Sequence, residues 1–133
     1  MNYKNLVKKA TEAQKYSHAP YSSLRVGAAL LTSSGKIYTG CNIENSSFSL
    51  TICAERTAIF NAISNGERKF KAIAINSDKI DFIPPCGACR QVLMDLAGDV
   101  DVVLSDKKGK ISITKLSILL PASFNNLIFK PKK

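Results

Sequence analysis

Apolar residues recur at Tyr3, Leu6, Val7, Ala10 and Ala13. That three-and-four spacing lines one face of a helix and predicts one over residues 3–16. Pro20 marks the exit from it. The pattern then changes: Leu24 to Thr32 is almost wholly apolar or small and reads as a buried strand. Ser33-Ser34-Gly35-Lys36 is a turn, and Ile37 to Ile43 is the returning strand of a hairpin. A second helix is predicted over Thr51 to Asn65, stopped by Gly66. Phe70 to Asn76, with Ala72, Ile73, Ala74 and Ile75 in sequence, reads as a core strand. Pro84-Pro85 resets the backbone before a third helix, Cys86 to Ala97, that ends at Gly98. Val100–Leu104 and Lys110–Thr114 are short strands around the turn Asp106-Lys107-Lys108-Gly109. Strand, helix, strand, helix, strand is the order of an α/β layered fold with parallel crossovers.

No repeat, low-complexity tract or linker breaks this order, so one domain over residues 1–133 is expected. At 45% apolar residues the chain can bury a sizeable core. No apolar run approaches the roughly 20 residues of a membrane span. The start, Met1-Asn2-Tyr3-Lys4-Asn5-Leu6, lacks the apolar stretch of a secretory signal. Its cysteines are therefore expected to be reduced and available to a metal, in a cytoplasmic protein. The formal net charge of +9 invites a nucleic-acid reading, but its distribution argues otherwise. Fifteen of the 19 basic residues are lysines spread along the chain, densest only in the tail Lys130-Pro131-Lys132-Lys133. Without an Arg-rich stripe or aromatic-basic alternation, no dedicated nucleic-acid binding is expected.

Chemistry enters with Cys53-Ala54-Glu55 and Pro85-Cys86-Gly87-Ala88-Cys89. Three thiolates leave one position of a zinc tetrahedron open, as in catalytic sites, whereas structural sites close it with a fourth protein ligand. A carboxylate two residues from the first ligand completes the pattern of a site that activates water. Cys86 and Cys89 are one turn apart and share a face. Cys53 and Glu55 diverge mid-helix, but at a helix N-terminus both can reach an ion beyond the tip, where unpaired N–H groups favour thiolates. Cys41 ends a strand, is a poor mate for Cys53 because structural sites usually pair ligands two to four residues apart, and reads as a small buried residue. His18, the one histidine, reads as a loop residue.

With these motifs in hand, the chain resembles the small, homotetrameric, zinc-dependent cytidine deaminases over nearly its whole length. The matching stretches include Pro20-Tyr21-Ser22, Val26-Gly27-Ala28-Ala29-Leu30, Gly40-Cys41-Asn42-Ile43-Glu44-Asn45, Cys53-Ala54-Glu55-Arg56 and Pro85-Cys86-Gly87-Ala88-Cys89-Arg90-Gln91. Leu119-Leu120-Pro121 adds a further match. The resemblance implies a three-layer α/β/α fold with a central mixed sheet of about five strands. It implies zinc on Cys53, Cys86 and Cys89, with Glu55 as the proton shuttle for cytidine and deoxycytidine hydrolysis in pyrimidine salvage. Asn42 and Glu44 would hold the ribose, Ala54 would contact substrate, and Phe124 would enter a neighbouring subunit's site, with Phe48 near the junction. Leu24 stands where the family usually carries Phe. Arg56, or else Arg90, would donate to a thiolate, and the resemblance favours Arg56. A related hydrolase acting on a cytosine-bearing antibiotic would share the zinc motifs, so Asn42 and Glu44 carry the discrimination. A non-enzymatic zinc binder would instead recruit Cys41 and leave Glu55 without a role.

Overall fold

A computed structural model describes residues 2–129, and the lysine tail lies outside them. The helical stripe forms α1, Lys4–Ala13, and runs on as a 3-10 turn, Gln14–Tyr16. β1 (Val26–Thr32) and β2 (Ile37–Cys41) form the hairpin. Then come α2 (Ala54–Ser64), β3 (Phe70–Ser77), α3 (Gly87–Ala97), β4 (Asp101–Ser105) and β5 (Ile111–Lys115). A four-residue helix, α4 (Leu116–Leu119), follows β5 directly.

The five strands make one mixed sheet in the order β2-β1-β3-β4-β5. Only β3 and β4 pair in parallel; the other neighbours are antiparallel. The expected parallel crossovers are thus realised once between neighbours, through α3, and once around β1, through α2. Period-two alternation divides the core into two layers. Ala28, Leu30, Ile73, Ile75 and Val102 face α2 and α3. Ala29, Ala72, Ala74 and Val103 face Tyr3, Leu6, Val7 and Ala10 of the α1 region. Both faces of the sheet are covered, which is why β1 and β3 read as unbroken apolar runs. The architecture is the three-layer α/β/α sandwich.

Topology determines where chemistry can gather. β2 and β3 flank β1 and both run antiparallel to it, so their C-terminal ends reach the same edge of the sheet. The segments leaving those ends lead into α2 and α3, which therefore start side by side. Close packing sets the height of α2: a Cβ on Gly40 would lie 2.4 Å from the Ala58 nitrogen and 2.6 Å from the Ala54 oxygen. Only glycine admits that approach.

Candidate active site and metal centre

Cys53 and Cys86 are the N-caps of α2 and α3, both with extended backbone, and not members of the helices. The Thr51 start expected for α2 is displaced to Ala54, because Phe48–Leu50 forms a 3-10 turn and Ile52 pairs with Ile43. Being outside the helix frees Cys53 from the angular divergence that would separate it from Glu55. Cys89 lies in the first turn of α3 and is fully buried. The Sγ atoms of Cys53, Cys86 and Cys89 lie within 4.8 Å of one another.

The donor set suits zinc. Tetrahedral zinc with bonds of about 2.3 Å separates its sulfurs by about 3.8 Å, and Cys53 and Cys86 Sγ are 3.7 Å apart. Cys86 Sγ also accepts the Cys89 N–H at 3.4 Å, so the thiol takes the capping role usually played by an oxygen. Arg56 Nη2 lies 3.6 Å from Cys53 Sγ. The Cys53 thiol is pulled down to about 5, first by the neighbouring Cys89 thiol and then by Arg56 and Cys86, against the opposing effect of burial. Cys89 is pushed up, first by Cys53 and then by burial. The guanidinium is raised in turn by its bond to Cys53. Its Nε is buried with no hydrogen-bond partner among the described residues.

Glu55 is 4% exposed. Burial is the largest influence on its carboxyl and, with the nearby Cys53 charge, raises it to about 7. Ala54 opens α2 with its methyl in the core. Its N–H is among the first-turn donors that a helix leaves unpaired.

Of the remaining candidates, Leu24 lies just before β1 and Asn42 and Glu44 just after β2, at this same end of the sheet. Asn42 is buried and largely engaged: Oδ1 accepts from Val26 N at 2.9 Å and from the Ser17 hydroxyl, while Nδ2 donates to Leu24 O at 2.7 Å. One amide N–H stays available. Glu44 is half-buried and accepts from the Tyr21 and Ser22 backbone and the Ser22 hydroxyl. Leu24 is partly buried against the core. Phe48 and Phe124 are both exposed; Phe48 meets Tyr21 edge-on at 5.7 Å and Phe124 meets Phe129 at 5.9 Å. His18 contributes backbone: its N–H donates to Asn42 O and its carbonyl accepts the Glu44 N–H. Arg90 is corrected. Its Nε donates to Pro85 O at 2.7 Å and its Nη1 to Leu119 O at 2.8 Å, so it ties α3 to the C-terminal segment and not to a thiolate. Cys41 stands apart from the three-thiol cluster, half-buried in β2, its thiol raised by burial. The sequence names Tyr21 and Ser22 only within the matching stretch Pro20-Tyr21-Ser22; their bonds to Glu44 run partly through backbone N–H groups, which carry no residue signature.

Residues 1–105 match the family described as the cytidine and deoxycytidylate deaminase zinc-binding region, and the chain belongs to that family. A cytidine deaminase of Sporosarcina psychrophila is 47% identical over 94% of this chain and 93% of its own length. A probable cytidine deaminase of Dictyostelium discoideum is 51% identical over 87% of this chain and 79% of its own. The crystal structure of a Burkholderia pseudomallei cytidine deaminase superposes with a TM-score of 0.88 at 44% identity, covering 93% of this chain and all of that one. The family and fold expected from the motifs are borne out.

Proposed function

We infer that this protein hydrolyses cytidine and deoxycytidine to uridine and deoxyuridine with release of ammonia, using one zinc ion held by Cys53, Cys86 and Cys89. The observation that carries this reading is a buried Glu55 beside three thiols whose spacing suits a zinc tetrahedron. Zinc bound there lowers the pKa of a coordinated water and supplies the nucleophile near neutral pH.

Glu55 handles the protons. A carboxyl held up to about 7 offers both its protonated and ionised forms near neutrality, as a group that gives and takes in one cycle requires. It takes one proton from the attacking water and donates it to N3 of the pyrimidine as that oxygen bonds to C4. It then moves a second proton from that oxygen to the 4-amino group, the C4–N bond breaks, and ammonia leaves. Uridine keeps the first proton at N3.

Asn42 and Glu44 orient the sugar through the remaining amide N–H and the carboxylate, and Ala54 contacts the base through its backbone. Arg56 offsets the charge of the thiolates. Exposed Phe48, Leu50, Phe124 and Phe129 support a homotetramer in which Phe124 completes a neighbour's site. The same reading places one domain, 1–133, in the cytoplasm, serving pyrimidine salvage. Incubating zinc-loaded protein with cytidine should remove cytosine absorbance with one ammonia released per nucleoside. Unchanged cytidine in the presence of one zinc per chain would sink the reading.

A further inference from the structure

Glu44 is held by more than its own strand. Oε1 accepts the Tyr21 N–H at 2.9 Å and the Ser22 N–H at 3.1 Å, and Oε2 accepts the Ser22 hydroxyl. The Ser22 oxygen itself accepts the Leu24 N–H at 3.1 Å. A hydroxyl has one hydrogen, and that contact leaves it directed at Glu44. The turn enforcing this is tight, with Ser23 in the left-handed region at φ 58 and its N–H bonded to Ala19 O at 3.0 Å. From the other side, the Glu44 N–H donates to His18 O at 2.8 Å. The carboxylate is therefore docked onto the 18–24 segment through both backbone and side chain.

A carboxylate presents about four lone-pair positions. Two on Oε1 and one on Oε2 are filled here, which leaves a single position on Oε2. Glu44 also lines cavities of about 390 and 520 Å³, the smaller one shared with Tyr21, Ser22, Phe48 and Thr51. We propose that Ser22 is a positioning residue for substrate binding, its hydroxyl holding Glu44 so that this one open position of Oε2 receives a ring hydroxyl of the sugar, at the 2′ or 3′ position. The proposal rests on the reading of Glu44 as a sugar ligand. The Ser22 hydroxyl is also the largest influence keeping the Glu44 carboxyl below its ordinary range, so the group is ionised and accepts only. Ser22 itself is exposed, so its hydroxyl matters to the carboxylate far more than to the core.

The test uses zinc-loaded wild type, Ser22→Ala, Ser22→Thr, Glu44→Ala and the Ser22→Ala/Glu44→Ala double variant. Each is assayed for KM and kcat with cytidine and for the inhibition constant of 2′,3′-dideoxycytidine, alongside zinc content and a thermal melt. Ser22→Ala should raise KM for cytidine about five- to tenfold, the scale of one lost hydrogen bond, with kcat, zinc and melting unchanged. Ser22→Thr should restore KM, the dideoxy inhibitor should bind both forms alike, and the double variant should match Glu44→Ala. Wild-type KM in Ser22→Ala beside a raised KM in Glu44→Ala overturns the proposal and leaves the sugar reading standing. A Ser22→Ala effect that persists for the dideoxy inhibitor or without Glu44 overturns it too, as plain loop disorder. Unchanged KM in Glu44→Ala overturns the sugar reading itself.

Discussion

Arg56 Nη2 lies 3.6 Å from Cys53 Sγ, a guanidinium set against a thiol of the three-cysteine cluster at the same helix start. The contact answers a charge problem. Three thiolates outweigh the two positive charges of zinc, and the excess weakens the ion as a Lewis acid. The N-termini of α2 and α3 offset part of this, and a charge-assisted hydrogen bond from Arg56 offsets more. Arg56→Gln should keep zinc yet turn over about 10- to 100-fold more slowly, matching the loss of a bond to a charged group. The apparent pKa of activity should rise. A pH–rate profile beside a metal assay on one preparation checks this, and a profile overlaying wild type leaves Arg56 a structural arginine.

Glu55→Gln preserves volume in a buried position, so zinc content and fold should be retained. An amide cannot exchange protons, and kcat should fall by about 10²–10⁴-fold or more. Steady-state kinetics with metal analysis decides it. A variant keeping half the wild-type rate contradicts the proton-shuttle role.

Cys86 acts twice, as a member of the thiol cluster and as acceptor of the Cys89 N–H. Cys86→Ala should therefore lose zinc and, from the cap alone, about 1 kcal/mol of stability. Cys41→Ser should keep one zinc per chain, since Cys41 lies outside the cluster. Zinc counting on both variants separates a three-thiol site from a four-thiol one. Equal metal loss in the two would reinstate Cys41 as a ligand.

The helical stripe of α1 was legible from side-chain period, and the burial of β1 and β3 from their unbroken apolar runs. The thiol cluster was legible too, since three ligands and an acid at two helix starts form a chemical pattern independent of tertiary detail. What escaped depends on contacts distant in sequence. The start of α2 is set by the bridge between Ile43 and Ile52. Arg90 finds the Leu119 carbonyl only after the chain has folded back. α4 spans one turn, Leu116–Leu119, too short for any periodicity to register. Tyr21 and Ser22 act on Glu44 partly through amides that any residue would supply.

Gly40→Ala should be disruptive out of proportion to one methyl group. The added Cβ meets backbone of α2, at Ala58 N and Ala54 O, and no flexible side chain can swing away. Either α2 lifts from the sheet or β2 shifts, at a cost of about 1–3 kcal/mol or more. Lifting α2 also moves Cys53 away from Cys86, so zinc affinity should fall along with the denaturation midpoint. Gly35→Ala is the control: nothing lies within 4 Å of its Cβ, and only its positive φ of 95° adds strain. Zinc affinity unchanged in Gly40→Ala would break the link between helix seating and metal geometry.

Tyr3 Oη donates to Asp101 Oδ2 at 2.6 Å while Lys115 Nζ holds Oδ1 at 3.0 Å, tying the start of α1 to β4 and β5. The hydrogen bond from Tyr3, then the Lys115 ammonium, holds the Asp101 carboxyl below its ordinary range. Burial first, then Asp101, pushes the Tyr3 phenol up to about 12. The signs of the two shifts differ. A depressed carboxyl stabilises the fold above its unfolded value of 3.8, and that contribution disappears as pH falls through the lower folded value. A raised phenol stabilises below its unfolded value of 10.0 and loses that as pH rises through about 12. Tyr3→Phe removes the bond, the phenol's own shift and the part of the Asp101 shift that Tyr3 supplies, and leaves the part due to Lys115. The stability gap between wild type and variant should be about 1 kcal/mol and level from roughly pH 5 to 9. It should narrow in acid as Asp101 protonates, and again in strong alkali. Denaturant titrations at fixed pH values give the gap directly. A gap that widens on acidification would show that Tyr3 acts through packing and not through the Asp101 carboxylate.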